Sequence, residues 1–212
     1  MCQYHPYLET RGISEDTATA LGIGYLATGR SPLRGRIVFQ VRDYRQGKTV
    51  ILSHLGRAVD DTEPKYLFYK DFQKAAELYG QDWIGVAENS IQQINSHGLI
   101  LTEGTFDVAK AYEAGWRNVV ASFGAQLSDL QADRIADIAG KHPVTIAYDR
   151  DEAGKEGALR TQGMLLKHHL EVRIFDWEQV LGKRGKMIPK RLADLAAFST
   201  EQFQWLRQHG LL

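Results

Sequence analysis

The 212-residue sequence predicts an α/β protein, a parallel sheet flanked by helices, preceded by a small α+β subdomain rich in basic residues. Three observations carry this. From Gly98 onward, short apolar runs alternate with helix-period segments, the pattern of strand–helix–strand units in a parallel sheet. Before that, Arg36 to Asp43 and Lys48 to Val59 alternate or run apolar on either side of Arg45-Gln46-Gly47, which reads as a β-hairpin. Charge is also uneven. Ten Lys and Arg against five Asp and Glu lie between Arg30 and Lys74, although the whole chain balances at 26 and 26.

Composition excludes several classes. Hydrophobic residues make up 43% and charged residues 25%, ordinary for a globular chain with a real core. No apolar run reaches the ~18 residues that would span a bilayer, and no signal-peptide pattern opens the chain, so a cytoplasmic protein is expected. Cys2 is the only cysteine, which rules out a disulfide framework and a cysteine-based zinc site. His54, His97, His142, His168 and His169 lack ligand spacing, and the four tryptophans read as packing.

The elements follow in order. Two short helices open the chain, the second capped by Ser14 and ending near Leu21-Gly22. The hairpin comes next, then an aromatic stretch from Tyr66 to about Tyr79 and a weak helix around Asn89 to Ser96. Strands are predicted at 99–101, 119–121, 144–148 and 172–175. Helices are predicted at 105–114, 127–139 and 152–169, with one more at 200–209. Ser128 and Gln131 form a capping box, with Leu127, Leu130, Ile135 and Ile138 on one side of that helix. These segments divide into a basic subdomain over 1–95, a sheet domain over 96–180 and a helical extension over 181–212.

In an open parallel sheet the reactive groups gather at the carboxyl ends of the strands. Glu103 follows the first of these strands; Asp149 and Asp151 follow the third. Acids after strands also serve simply as helix caps. Converging carboxylates repel unless a cation sits among them, and Mg²⁺ or Mn²⁺ with oxygen ligands is the metal of phosphoryl and nucleotidyl transfer.

The joint pattern, Glu103-Gly104 after one strand and Asp149-Arg150-Asp151 after another, resembles the TOPRIM domain shared by DnaG-type primases, topoisomerases and small nucleases. The first half narrows this to primases. Tyr7-Leu-Glu-Thr-Arg-Gly-Ile-Ser, Leu33-Arg-Gly-Arg-Ile-Val-Phe, Leu55-Gly-Arg-Ala-Val, Glu63-Pro-Lys-Tyr-Leu and Glu77-Leu-Tyr-Gly resemble segments of the primase catalytic core, in order. The resemblance runs from about Tyr7 to Phe175. It implies that Glu103 is the acid or base near the reacting hydroxyl and that Asp149 and Asp151 hold Mg²⁺ or Mn²⁺. Asp107 matches the further aspartate of the primase motif and joins the expected metal set.

Arg34, Arg36, Arg42, Arg57, Lys65 and Lys74 are the expected phosphate contacts, lining a groove toward the metal. Tyr66, Phe68 and Tyr69 offer faces for stacking on single-stranded bases. A hairpin's alternating charges also serve as a solvated face, and large aromatics also serve as core. The implied partners are a single-stranded DNA template and ribonucleoside triphosphates.

Three departures from the family stand out. The zinc-binding module is not seen, which implies that a separate zinc-binding chain assists initiation. The helicase-binding domain is not seen either. The last acidic motif is replaced by a run from Gly182 to Leu195 containing Lys183-Arg-Gly-Lys and Lys190-Arg, with Asp194 its nearest carboxylate and Asp176 directly after the fourth strand. The expected function is therefore a primase-type nucleotidyltransferase making RNA primers, of mobile-element or phage character. A TOPRIM metal-dependent nuclease and a non-catalytic single-stranded DNA-binding module are the alternatives.

Overall fold

The computed structural model describes residues 2–182 and 193–212, and the chain divides into two compact units after Gln73. The predicted boundary near 95 lies about twenty residues too late. The reason is burial: Leu78, Ile84 and Ile94 belong to the core of the second unit, so 74–97 folds with the parallel sheet. The predicted helical extension likewise folds into that unit where it is described. The basic run from Lys183 to Arg191 lies outside the described residues.

The first unit holds helices α1 (Pro6–Thr10) and α2 (Glu15–Leu21) and strands β1 (Ile23–Tyr25), β2 (Arg36–Arg45), β3 (Lys48–Ala58) and β4 (Tyr66–Phe68). The strands pair antiparallel in the order β1-β2-β3-β4. Ser14 caps α2 as expected, its side chain accepting from the Thr17 amide, and Gly22 ends the helix in the left-handed region at φ 65°. A Cβ on Gly22 would meet only the movable Gln40 side chain, so it is the left-handed backbone that favours glycine here. Leu8, Ile13, Leu21, Ile37 and Phe39 form the core. A register shift between Val41 and Arg42 bends the hairpin.

The second unit runs α3 (Glu88–His97), β5 (Leu99–Thr102), α4 (Thr105–Glu113), β6 (Val119–Ala121), α5 (Asp129–Ala139), β7 (Val144–Ile146), α6 (Glu152–Leu166), β8 (Val172–Ile174), α7 (Trp177–Gly182) and α8 (Thr200–Gln208). The sheet is parallel, ordered β6-β5-β7-β8, and flanked by helices. Leu99, Leu101, Val120, Val144 and Ile146 are buried, as strands covered on both faces require. Leu130, expected on the buried side of α5, is 59% exposed; Gln131, Ala132, Ile135 and Ala139 face the core instead. α8 packs on α4, with Phe203 edge-on to the buried Trp116. No described helix is long and apolar enough to cross a membrane.

Candidate active site

β5 and β7 are neighbours, so their carboxyl ends bring Glu103 and Asp149 together from 46 positions apart in the chain. The Glu103 carboxylate accepts the Asp149 amide at 3.0 Å. Asp151 caps α6, accepting from the Gly154 amide at 2.8 Å. Packing here leaves no room for a side chain at position 154. A Cβ there would lie 2.1 Å from the Asp149 carbonyl oxygen and 2.9 Å from Glu103 Oε1.

The electrostatics are those of crowded acids. Burial pushes the Glu103 carboxyl above its ordinary range; the Asp149 amide pulls it back and the Asp151 charge adds to the rise. Asp107 is pushed further, first by burial and then by the charges of Asp149 and Asp194. It is 4% exposed, and each of its oxygens accepts a backbone amide, Gly104 at 2.9 Å and Ala196 at 2.8 Å. Asp107 was expected among the metal ligands. Its placement is that of a brace joining the turn after β5 to the segment before α8.

The remaining acids cap short elements. Asp194 accepts from the Ala197 amide, and Asp176 from the Glu178 and Gln179 amides at the start of α7. Arg150, between the two aspartates, donates to Glu178 at 2.7 Å, while its own amide donates to the Ala193 carbonyl.

Among the described residues no three His, Cys, Asp or Glu side chains converge as a complete metal-ligand set. The donors that do approach are all carboxylate oxygens, and their mutual repulsion is what a hard cation relieves. Mg²⁺ is commonly held by one or two carboxylates with water and substrate phosphate rather than by a protein cage. Asp149 and the exposed Asp151, with Glu103 beside them, fit that mode of binding.

Under this floor lies a hydrogen-bonded network. The Tyr148 hydroxyl sits 3.1 Å from Ser122 Oγ and receives the Thr161 hydroxyl at 3.3 Å, and the Ser122 hydroxyl also approaches the Gly124 carbonyl. Trp177 Nε1 donates to the Tyr148 carbonyl, fixing the loop from the other side. Sequence reading missed this network, because Tyr148 looks like an ordinary core aromatic.

The six basic residues separate sharply. Arg36 is 5% exposed and donates to the Pro64 carbonyl at 2.7 Å. Arg57 is 7% exposed, donates to the Ala58 carbonyl and lies 5.6 Å and 5.4 Å from the ring centres of Tyr7 and Tyr66. Neither is available to line a groove; both hold the first unit together, and this corrects the expectation. Arg42 donates to the Ala20 carbonyl at 2.9 Å at the surface. Arg34 and Lys65 are exposed in the first unit, while Lys74 stands exposed in the second. Tyr66 and Tyr69 show 40% and 45% of their surface to solvent, whereas Phe68 stacks on Phe72.

A family model for the Toprim domain matches residues 98–176, the span that holds Glu103, Asp149 and Asp151. A DNA primase of Clostridium acetobutylicum is 34% identical over 172 residues, covering 77% of this chain and 27% of that protein. The chain thus spans between a quarter and a third of that relative's length. Among solved structures, the Aquifex aeolicus primase with its zinc-binding and RNA polymerase domains superposes with a TM-score of 0.76. The match is 24% identical and covers 97% of this chain and 54% of that one. A DnaG primase catalytic domain bound to single-stranded DNA superposes with a TM-score of 0.68 at 22% identity, covering 96% of this chain and 70% of that one. At such identities the superpositions speak for the fold, and the sequence matches speak for descent. The chain thus carries a Toprim domain over residues 98–176, is similar in sequence to DNA primases over most of its length, and shares the fold of the DnaG primase catalytic core.

Proposed function

We propose that this chain is the core of a primase-type nucleotidyltransferase, joining ribonucleotides on a single-stranded DNA template with Mg²⁺ or Mn²⁺. The observation that supports the reading is the hydrogen bond from the Asp149 amide to the Glu103 carboxylate at the ends of adjacent parallel strands, with that carboxyl raised first by burial and further by the charge of Asp151. Asp149 and Asp151 would hold the cation, which when bound neutralises charge on the nucleotide phosphates. Glu103 takes the proton of the attacking 3′-hydroxyl; a raised carboxyl is a better base than an ordinary one. The new bond joins the 3′-oxygen to the α-phosphorus, the bond to the β-phosphate oxygen breaks, and pyrophosphate leaves.

Arg34, Arg42 and Lys65 serve as phosphate contacts to the template, with Tyr66 and Tyr69 as stacking faces. Lys74 serves the nucleotide. A zinc-binding or helicase chain supplies template selection in this reading, and the cytoplasm is its setting. The deciding experiment supplies single-stranded template, labelled ribonucleotides and Mg²⁺ or Mn²⁺, with and without a partner zinc module. Template-dependent polymer is the expected product. Metal-dependent cutting of nucleic acid with no polymer under any condition would replace the primase reading by the nuclease one.

A further inference from the structure

The segment that opens the second unit is held in an unusual way. Lys74, Ala75, Ala76 and Glu77 present four successive backbone carbonyls, and side chains of one helix, α5 with its cap, approach all four. Gln131 Nε2 donates to the Glu77 carbonyl at 2.9 Å and lies 3.3 Å from the Lys74 carbonyl, the longest of the approaches its two N–H groups share. The Ser128 hydroxyl donates to Ala75, and Arg134 Nε donates to Ala76 at 3.0 Å. Arg134 also pairs with the Glu77 carboxylate at 3.3 Å.

The same Gln131 ties this grip to the candidate active site. Its Nε2 reaches the Ser122 carbonyl at 3.1 Å, at the end of β6, and its Oε1 accepts the Ser128 amide at 3.1 Å. Three residues of α5 and its cap therefore fix the segment and the β6 end in one frame. In that frame Lys74 Nζ lies 3.8 Å from where a Cβ on Gly124 would stand, and the Gly124 amide donates to the Glu103 carbonyl at 2.9 Å. A flexible four-carbon chain is thus anchored at its root, with its ammonium brought to the turn beside Glu103.

Tying a short turn to the core is one service such bonds perform. Four approaches by a single helix, ending at the one lysine of the segment, point to a second. We infer that Gln131, Ser128 and Arg134 are positioning residues that hold Lys74 over the turn after β6, where its ammonium takes a phosphate of the incoming nucleoside triphosphate. The inference rests on the nucleotidyltransferase reading for the identity of the ligand. Placing a charged donor in advance removes an ordering cost that binding would otherwise bear.

The test is a double-mutant cycle on the full chain, reading the dissociation constant of a fluorescent ribonucleoside triphosphate with Mg²⁺ and, separately, KM and kcat for synthesis. Gln131→Met keeps the volume and removes the donor. Ser128→Ala is the milder variant should Gln131→Met fold poorly. Lys74→Ala and Gln131→Met should each weaken nucleotide binding by roughly 3- to 30-fold, and the double variant should be no weaker than Lys74→Ala alone. KM should rise while kcat holds.

Equal effects of Gln131→Met with and without Lys74 would overturn the inference, because the glutamine would then act on the fold at large. So would nucleotide binding that Lys74→Ala leaves unchanged. If the wild type binds nucleotide, shows the non-additive cycle and yet makes no polymer, the nucleotidyltransferase reading falls while the positioning of Lys74 stands.

Discussion

The Glu103 carboxylate and the Asp149 amide are joined by a 3.0 Å hydrogen bond between the ends of two neighbouring strands. The bond restrains both residues at once. It aims the glutamate across the mouth of the β7–α6 loop and sets the start of the loop that carries Asp151. Glu103→Gln keeps an oxygen for this bond and removes the base. Synthesis should fall ~10²- to 10⁴-fold with template affinity and melting temperature held, as measured by primer extension, fluorescence anisotropy and calorimetry. A variant that retains full rate would remove Glu103 from the chemistry.

Asp149→Asn and Asp151→Asn together should abolish tight Mn²⁺ binding followed by electron paramagnetic resonance. The fold should survive, because asparagine caps a helix about as well as aspartate. Undiminished Mn²⁺ binding in the double variant would move the metal elsewhere.

Gly154→Ala should be among the most damaging single-methyl changes in the chain. The added carbon would fall 2.1 Å from the Asp149 carbonyl oxygen, so the loop or the helix must shift. Overpacking of this kind costs about 1–3 kcal/mol, visible as a lower denaturation midpoint, with metal affinity reduced in the surviving folded fraction. The exposed Gly163, where an added carbon meets nothing within 4 Å, is the matched control.

Lys65→Ala and Arg57→Ala should separate binding from architecture. Removing a phosphate contact at Lys65 should lower the salt slope of single-stranded DNA binding by ~0.7. Arg57→Ala should leave the slope alone and destabilise the first unit, since Arg57 sits between Tyr7 and Tyr66. A reduced slope in Arg57→Ala at full stability would reverse these assignments.

Asp107 supplies a pH signature. Its folded carboxyl is raised well above the ordinary value of 3.8. The folded state therefore holds this proton more tightly than the unfolded chain does, and Asp107 favours folding most at acid pH. That contribution declines as pH climbs from 3.8 toward the raised value and stays low above it. Asp107→Asn should flatten this part of the stability curve. It should also cost one of the two amide contacts, because its NH₂ would face an N–H. Identical slopes for wild type and variant in calorimetric scans between pH 3 and 7 would count against a charge effect at this residue.

Sequence reading reached further for the parallel sheet than for the basic unit, and the reasons are physical. Val119–Ala121 and the cap of α2 were legible because an apolar run between turns, and a serine before a helix, each have one dominant local solution. Leu130 was misplaced because the apolar period of α5 is satisfied by the smaller Ala132 and Ala139, and the helix instead turns Gln131 inward. Arg36 and Arg57 misled because charge predicts solvent only where no carbonyl or ring is positioned to receive it. Pro64 and Tyr66, which receive them, come from a segment that no local pattern ties to the hairpin. The nearness of Glu103 and Asp149 was legible because both follow neighbouring strands of the sheet. The inward turn of Asp107 was hidden, since its second partner, Ala196, lies 89 residues away.

The β5–β7 register sets Leu101 against Ile146, two and three residues before Glu103 and Asp149. Both are fully buried and never meet a substrate, yet they decide how far each acid projects. A slip of one residue would reverse the facing of every side chain along the strand. Random mutagenesis scored only by product formation would therefore misfile aliphatic lesions at Leu101 or Ile146 as losses of chemistry. A screen pairing each variant's yield with its folded fraction would return them to their proper class, as errors of alignment inherited from the interior.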